Sequence, residues 1–396
     1  MTSWSTHIKP VGILEWRHGG HRLAYVAAIV DGAAASGRRA VLLTDKETLG
    51  SPEFSVHLSE NKNQDTRVSK QRIGTVAGML ASLRWLRSNA EITVVPEADR
   101  FLATLILAWL VRALPRNTSV IVMRPPVLQR ASGHSFKRRQ VDSVVVAATG
   151  LLKTALMLVC QRISSIDMFL LEDPVATGAQ RVWGWPFSSE TLRLDDPSDL
   201  IPAGRGIQPV ELGSARRDRR VIAIVGSIDS RKQVPLLLRA WESVDKSGEP
   251  LLLLAGPHER QVRELVDQQR VADKSILSID RYLTNEEMAG VIERSSGLAI
   301  LYDGGVSSGI LTTAVAVGRW VITTENTRTG AIAEANGCAV ACNGRPDSLA
   351  NAIDRVIVAP SQPPGHDLPT RLDFARRLLP SLMPIGPEFL EHWKER

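Results

Sequence analysis

Two short segments carry side chains suited to holding an anion. In "GSIDSRKQV", Gly226 and Ser227 precede Arg231 and Lys232, which stand at the start of a helical pattern. A cation there opposes the helix dipole, and a bound diphosphate would reverse that preference. The plainer reading is a solvated basic pair, since exposed pairs are common and cost little. In "DGGVSSGILTTAVAVGRWVITTE", from Asp303 to Glu325, Gly304, Gly305, Ser307, Ser308 and Gly309 precede a small-residue helix that includes Thr313. The free N–H groups of a helix start, with two hydroxyls, can hold a phosphate without a side-chain cation. A tight strand-to-helix turn accounts less well for two serines and three glycines together. Between its two ends the stretch holds no acid.

The N-terminal half offers weaker candidates. In "WRHGGHR", Gly19 and Gly20 let backbone N–H groups approach an anion, and His18 and His21 are placed to contact a substrate. A plain glycine turn with solvent-facing histidines is the alternative. Arg124 in "VMRPP" falls at a strand end, and His134 follows as a group able to orient a donor or an acceptor. Lys137, Arg138 and Arg139 form a basic cluster, read either as a solvated face or as a contact for anionic lipid head groups or an anionic acceptor. Glu97 and Asp99 in "EAD" carry carboxylates that suit sugar hydroxyls, while Asp99 is read in preference as the cap of the following helix. Asp195 and Asp196 sit in a Pro-rich loop, and no cluster has metal-ligand spacing, so no metal is expected. The odd count of cysteines, Cys160, Cys338 and Cys342, fits a reducing compartment. Cys338 and Cys342 in "CAVAC" are read as one buried strand face.

The elements that would position these groups are clearest in the second half. "VIAIVG", "LLLLAG", "SILSID", "GLAILY", "RWVITTE" and "CAVAC" are short apolar runs separated by helical patterns. Continuous apolar runs indicate strands buried on both faces, and their alternation with helices indicates a parallel sheet. "VGILEW", "RAVLLT", "EITVVPEAD" and "SVIVMRPP" repeat the theme in the first half, with helices over "HGGHRLAYVAAIVDGAAASG", where Leu23, Val26, Ala27 and Val30 form a face, and over "VAGMLASLRWLRSN". The expected fold is α/β, two Rossmann-like doubly wound domains facing across a cleft. Such domains bind ligands outside the carboxyl ends of their strands. The expected boundaries are residues 1–194 for the acceptor-side domain, 195–220 for a linker rich in Pro, Gly and charge, 221–368 for the donor domain, and 369–396 for C-terminal helices packing back on the first domain.

A net charge of +6 suits anionic small molecules or anionic lipid surfaces. Nucleic acid is not expected as a partner, because no aromatic-rich basic motif is visible. The start lacks the apolar core of a signal peptide. The apolar run Phe101 to Val111 is too short to span a bilayer, and Ser143 to Cys160 carries Lys153 in its middle, so both are read as buried or surface-docked helices. The expected location is cytoplasmic, with peripheral contact at the inner membrane face through Lys137, Arg138 and Arg139.

Taken together these residues resemble the GT-B glycosyltransferases, and most closely glycosyltransferase family 4 (group 1). The resemblance covers Gly226 to Val358 well and the first domain loosely. "GSIDSRK" is similar to the Gly-x-x-x-x-(Arg)-Lys segment that opens the donor domain, and Leu254 to Pro257 match its "LAGP" strand end. "SSGILTTAVAVGRWVI" fits the frame of the family signature, with Ala314 at the alanine after the second Glu and Gly318, Val321 and Ile322 at the closing segment. In that frame Gly305 stands at the first signature Glu and Thr313 at the second, so both acids are replaced. Ser227 stands where an arginine often follows the first Gly, and Arg124 occupies the strand end nearest in position to the family's first-domain histidine. Gly19 and Gly20 match the Gly-Gly loop.

The resemblance implies a hexosyltransferase-type enzyme. It would move a sugar from a nucleotide-diphosphate sugar to a glycan or lipid-linked acceptor, with retention of configuration and with neither metal nor cofactor. Lys232, Arg231 and Arg124 would act on the reacting groups, the first two by stabilising the leaving diphosphate. Gly19, Gly20, Gly226, Ser227, Ser307, Ser308, Gly309 and Thr313 would bind the donor. Asp303 and Glu325, at the ends of strands flanking the loop, would take over sugar or ribose contacts. His18, His21, Glu97, Asp99 and His134 would serve the acceptor side. Two other readings stand beside this one: a catalytically degenerate glycosyltransferase-like binding or scaffold subunit, and another two-Rossmann sugar-nucleotide enzyme such as an epimerase.

Overall fold

The computed structural model describes residues 9–17, 22–58, 64–123, 140–172, 192–195, 197, 206–213, 218–302, 309–360, 370–379 and 382. These fall into two compact units. Unit 1 takes the chain as far as Glu172, then the strand Leu192–Asp195 and the helix Arg371–Leu378, whereas unit 2 takes the described residues from Gly206 to Pro360.

Unit 1 holds strands β1 (Val11–Leu14), β2 (Ala40–Thr44), β3 (Gln64–Val68), β4 (Ile92–Val95), β5 (Thr118–Val122), β6 (Ile166–Glu172) and β7 (Leu192–Asp195). They pair in the order β3-β2-β1-β4-β5-β6-β7, every pair parallel. The helices are α1 (Arg22–Ala35), α2 (Lys46–Leu49), α3 (Pro52–Leu58), α4 (Val76–Asn89), α5 (Leu102–Leu110), α6 (Gln140–Gln161) and α13 (Arg371–Leu378). Every residue of β1, β2, β4 and β5 is buried, as strands covered on both faces must be. The edge strand β3 reads "QDTRV" and is half exposed, so it lacks the apolar run that marks its neighbours.

Leu23, Val26, Ala27 and Val30, the expected face of α1, are all buried, and the burial extends further round the helix. Leu23 to Val30 are buried without a break. The sheet covers one side of the helix, while α3 and α13 cover the other, where Tyr25 stacks on Phe374 at 5.4 Å. A helix enclosed on opposite sides needs apolar residues all round.

Unit 2 holds β8 (Val221–Val225), β9 (Leu251–Ala255), β10 (Ile276–Ile279), β11 (Gly297–Ile300), β12 (Trp320–Thr324) and β13 (Ala339–Cys342), in the order β10-β9-β8-β11-β12-β13, again all parallel. Its helices are α7 (Val234–Glu242), α8 (Arg260–Ala272), α9 (Asn285–Arg294), α10 (Gly309–Ala316), α11 (Arg328–Ala335) and α12 (Pro346–Val358). Alternate residues of β8 and β9 feed two separate cores. Val221, Ala223 and Val225 pack with α9 and α10 residues, and Ile222 and Ile224 pack with α7 and α12 residues. The two cysteines do not share a face: Cys338 belongs to the first core and Cys342 to the second. Cys338 precedes β13, and its thiol turns back to the Ala333 carbonyl at the end of α11.

Residues 206–213, expected within a linker, run along α9. Ile207 N–H donates to Glu286, and Arg281 binds the carboxylates of both Glu211 and Glu287. Both sheets are thus doubly wound and Rossmann-like, with a reversal of strand order at β1/β4 in unit 1 and at β8/β11 in unit 2. Crevices form at such reversals, outside the carboxyl ends of the strands.

Candidate functional site

In unit 2 the chain leaves β8 at Gly226, whose φ of +83° is open to glycine at little cost. Its N–H bonds to Ala255. The parallel pairing of β8 and β9 then continues past the strand ends, because Ile228 N–H donates to Pro257 and Glu259 N–H donates to Ile228. This brings Gly256, at φ +135°, so close to the Gly226 carbonyl that a Cβ would collide with it. Asp229 then starts a single 3-10 turn, Ser230–Lys232, accepting from Arg231 N–H at 3.0 Å.

The expected basic pair separates in this turn. Arg231 points outward with 74% of its side chain exposed, and its guanidinium holds Asp229 at 2.6 and 2.9 Å. Lys232 turns inward and is buried. Its Nζ donates to the Val225 carbonyl and lies 5.8 Å from the centre of the Tyr302 ring. Burial lowers the ammonium to about 8, against the attraction of Asp229. An ammonium has three protons, so those not given to Val225 are left for a ligand. Gly226 flanks it without a side chain: a Cβ there would sit 3.5 Å from Nζ and 3.4 Å from Ile310 in the first turn of α10. The glycine, the lysine and the start of α10 therefore meet at the β8/β11 reversal. Fixed N–H groups, a helix start and a buried cation are the parts of a phosphate cradle.

Of the expected donor-loop residues, Asp303, Ser307 and Ser308 lie outside the described residues. Gly309 is the first residue of α10 and is buried. Thr313 is buried one turn later, and its hydroxyl is spent on the Gly309 carbonyl at 2.8 Å. Glu325 follows β12, exposed, with its N–H bonded to Cys342. Ser227 lines a surface cleft of about 440 Å³ with Asp229, Arg231, His258 and Glu259 among its walls. His258 was missed in the sequence, where "HERQV" reads as plain helix start. Its Nδ1 lies 2.6 Å from the Gly256 carbonyl and its Nε2 3.1 Å from the Ser278 hydroxyl. Burial lowers its pKa, so the neutral ring donates to the first and accepts from the second.

The unit 1 reversal is built differently. Glu97, just after β4, is buried and receives Arg22 from the first turn of α1 through two bonds, at 2.6 and 3.1 Å. Arg17 approaches the same carboxylate at 3.5 Å. Asp99 does not cap α5, whose N-cap is Phe101 without a side-chain bond. Instead Asp99 accepts from Met123 N–H at 2.8 Å and pairs with Lys153 of α6. The lysine that interrupts an apolar helix thus has a buried partner, which two strand-end carboxylates could not reveal without the fold.

Sequence reasoning also passed over Glu15, although it ends the first apolar run. It is 1% exposed, and its Oε1 accepts the N–H groups of Trp16 and Arg17, both at 2.9 Å. Burial, with help from the Glu97 charge, pushes its carboxyl up to about 8. His18, Gly19, Gly20, His21, Arg124, His134, Lys137, Arg138 and Arg139 lie outside the described residues. Among those described, no helix is long and apolar enough to cross a membrane.

No protein-family model and no curated protein matches the chain. Solved structures do. A sucrose-phosphate synthase from Thermosynechococcus elongatus aligns over 98% of both chains at 15% identity and a TM-score of 0.60. The Anabaena protein HepE, in complex with UDP and glucose, aligns over 98% of this chain and 99% of its own at 11% identity and 0.58. A UDP-N-acetylglucosamine 2-epimerase aligns over 98% of both at 10% identity and 0.56. At these identities the likeness is one of fold: the chain has the two Rossmann-like α/β domains of the GT-B class, the architecture that glycosyltransferases and epimerases share.

Proposed function

We propose that the protein is a glycosyltransferase that binds a nucleotide-diphosphate sugar in unit 2 and transfers the sugar to a glycan or lipid-linked acceptor, with retention and without a metal. The observation that carries this reading is the meeting of Gly226, Lys232 and the start of α10 at the β8/β11 reversal. In such an enzyme the diphosphate gains negative charge as the sugar departs. A preorganised cation beside a helix start stabilises that charge where water cannot reorganise to do so. Arg231 lies nearby on an exposed turn and would close on the same phosphates by exchanging Asp229 for the ligand. Glu325 and Asp303 are proposed for sugar or ribose contacts in place of the two signature acids.

One observation favours a second reading. Thr313, in the frame of the second signature acid, has its hydroxyl committed to the helix backbone. That suits a degenerate, donor-binding scaffold subunit. The epimerases of like fold supply a third.

The test is nucleoside diphosphate release from a panel of nucleotide sugars with glycan and lipid-linked acceptors. Transfer by the wild type, reduced about 100-fold or more in Lys232→Met, is the expected result. Donor binding without release, across the panel, would assign the scaffold role. A 2-epimer product without acceptor would assign the epimerase.

A further inference from the structure

The helices α4, α5 and α6 cover one face of the unit 1 sheet: Leu83 of α4, Leu105 of α5 and Met157 of α6 enter the same core, and α5 packs against both of the others. A helix so placed turns an apolar stripe inward and a polar one to solvent. The second half of α4 does this, with Arg84, Arg87 and Ser88 exposed. The outer sides of α5 and α6 are apolar instead. On α6 the exposed positions are Leu151, Leu152, Ala155, Leu158 and Val159, spaced as one stripe of a helix. On α5 they include Leu107, Trp109 and Leu110, and Val111 follows at its end. Leu110, Leu151 and Leu152 keep 63, 61 and 62% of their surface in solvent. Single exposed apolar residues are ordinary, whereas two neighbouring helices with apolar outer sides mark an interaction surface.

The charge around this surface has one sign. From Phe101 to Ile166 the sequence holds one acid, Asp142, against nine lysines and arginines. Arg112, Arg116 and Arg162 are exposed where α5 and α6 give way to β5 and β6. Arg87, near the end of α4, joins them by donating to the carbonyls of Arg112 and Leu114. These arginines gather at the amino edge of the sheet, because each helix returns the chain to the start of a parallel strand. Two acids flank that edge. Glu91 pairs with Arg38, and Asp167 aligns with Ser119, whose hydroxyl reaches Leu378 on the opposite face of the sheet.

We propose that the outer sides of α5 and α6 dock unit 1 on an anionic phospholipid bilayer, the apolar residues entering the acyl boundary and the arginines meeting head-group phosphates. A half-exposed tryptophan beside leucines and arginines suits that boundary. A second copy of the chain could cover the apolar stripe, but α5 and the stretch from Leu151 to Arg162 contain no acid to offer the arginines in return. A bilayer offers phosphates across its whole plane. The stripe on α6 begins beside Lys153, which meets Asp99 after the carboxyl end of β4, and ends beside Arg162 at the amino edge. The docked helix therefore lies along the surface. The proposal stands without the glycosyltransferase reading; joined to it, it brings the carboxyl edge of unit 1 to the layer that holds a lipid-linked acceptor.

Flotation of the full chain with vesicles of phosphatidylcholine, alone or mixed with phosphatidylglycerol, tests it. The wild type should bind the mixed vesicles about tenfold more tightly than phosphatidylcholine alone, and high salt should remove most of that gain. Leu110→Gln combined with Leu152→Gln should weaken binding to the mixed vesicles about tenfold or more. Arg112→Gln combined with Arg162→Gln should weaken it about tenfold on the mixed vesicles and leave binding to phosphatidylcholine unchanged. All four positions are exposed, so both variants should melt as the wild type does. Val271→Gln, at an exposed apolar position of unit 2, should bind as the wild type. Absence of flotation, equal binding to the two kinds of vesicle, or unchanged binding in either double variant overturns the proposal. Self-association without vesicles that the leucine variant abolishes would assign the face to a second copy and overturn it as well. Vesicle binding without sugar transfer to any acceptor would leave this proposal standing and sink the enzyme reading. Transfer to a glycan acceptor without vesicle binding would do the reverse.

Discussion

The two units share a sheet topology and differ at the point where it reverses. In unit 1 the reversal is furnished with acids: Glu15, Glu97 and Asp99, two of them held by arginine or lysine from other elements. In unit 2 it is furnished with glycines and one buried lysine, whose Nζ donates to a backbone carbonyl. The first edge holds a carboxyl in its neutral form, and the second a cation that burial discourages. Desolvation acts on both and shifts them in opposite senses, an acid upward and a base downward. Equal folds therefore carry opposite electrostatic faults, and each fault is what a ligand of the right charge would relieve.

The comparison is broken or sharpened most strongly by pH. Glu15 has a folded pKa of about 8 against an ordinary 4.5. Between those values the native state keeps a proton that the unfolded chain has released. The stability this group contributes is therefore complete below 4.5 and is lost as pH rises through 8. The full loss is on the order of 5 kcal/mol. Denaturant titrations of unit 1 secondary structure should show that decline in the wild type, and Glu15→Gln should flatten it. A wild-type curve already flat from pH 5 to pH 8 would refute the neutral carboxyl.

Lys232 gives the mirror image. Its folded pKa is lowered to about 8 from 10.5, so between these values the unfolded chain holds the extra proton. Its contribution is present above 10.5 and is lost as pH falls through 8, an effect on the order of 3 kcal/mol. Lys232→Met should raise the stability of unit 2 at pH 7 while removing donor affinity, a trade expected of a ligand-binding group and not of a structural one. A variant less stable at pH 7 than the wild type would make Lys232 a structural residue held by Val225.

How much of this was legible in the sequence follows the same divide. The unit 2 strands appear as apolar runs because both their faces are buried, and the turn from Gly226 to Lys232 stands out because glycine, serine and lysine lie within a few residues of one another. Local chemistry in a local segment can be read directly. The unit 1 edge could not be, since Arg22 meets Glu97 across 75 residues and Lys153 meets Asp99 across 54. Asp99 reads as a helix cap until the fold brings Met123 and Lys153 to it. Polar β3 escaped notice for lack of an apolar run, and the enclosure of α1 depends on a helix from the far end of the chain. Glu15 was visible as a residue, but only burial makes it unusual.

Arg231 supplies the smallest effect and the finest distinction. Its pair with Asp229 is exposed on the guanidinium side, so its loss should cost unit 2 no more than about 1 kcal/mol. If the turn merely carries a solvated pair, Arg231→Ala leaves donor affinity unchanged. If Arg231 moves from Asp229 to the diphosphate, affinity for a nucleotide sugar should fall about tenfold, since a charge-assisted bond to phosphate exceeds an exposed ion pair. Asp229→Asn then separates the two cases further. Releasing Arg231 from its competitor should tighten the donor in the second case and do nothing in the first. A fall in affinity in both variants would mean that Asp229 itself faces the ligand, and the cation would be there to position the acid. That outcome would make the unit 2 edge resemble unit 1 after all, with a carboxylate at its centre and arginine as its anchor.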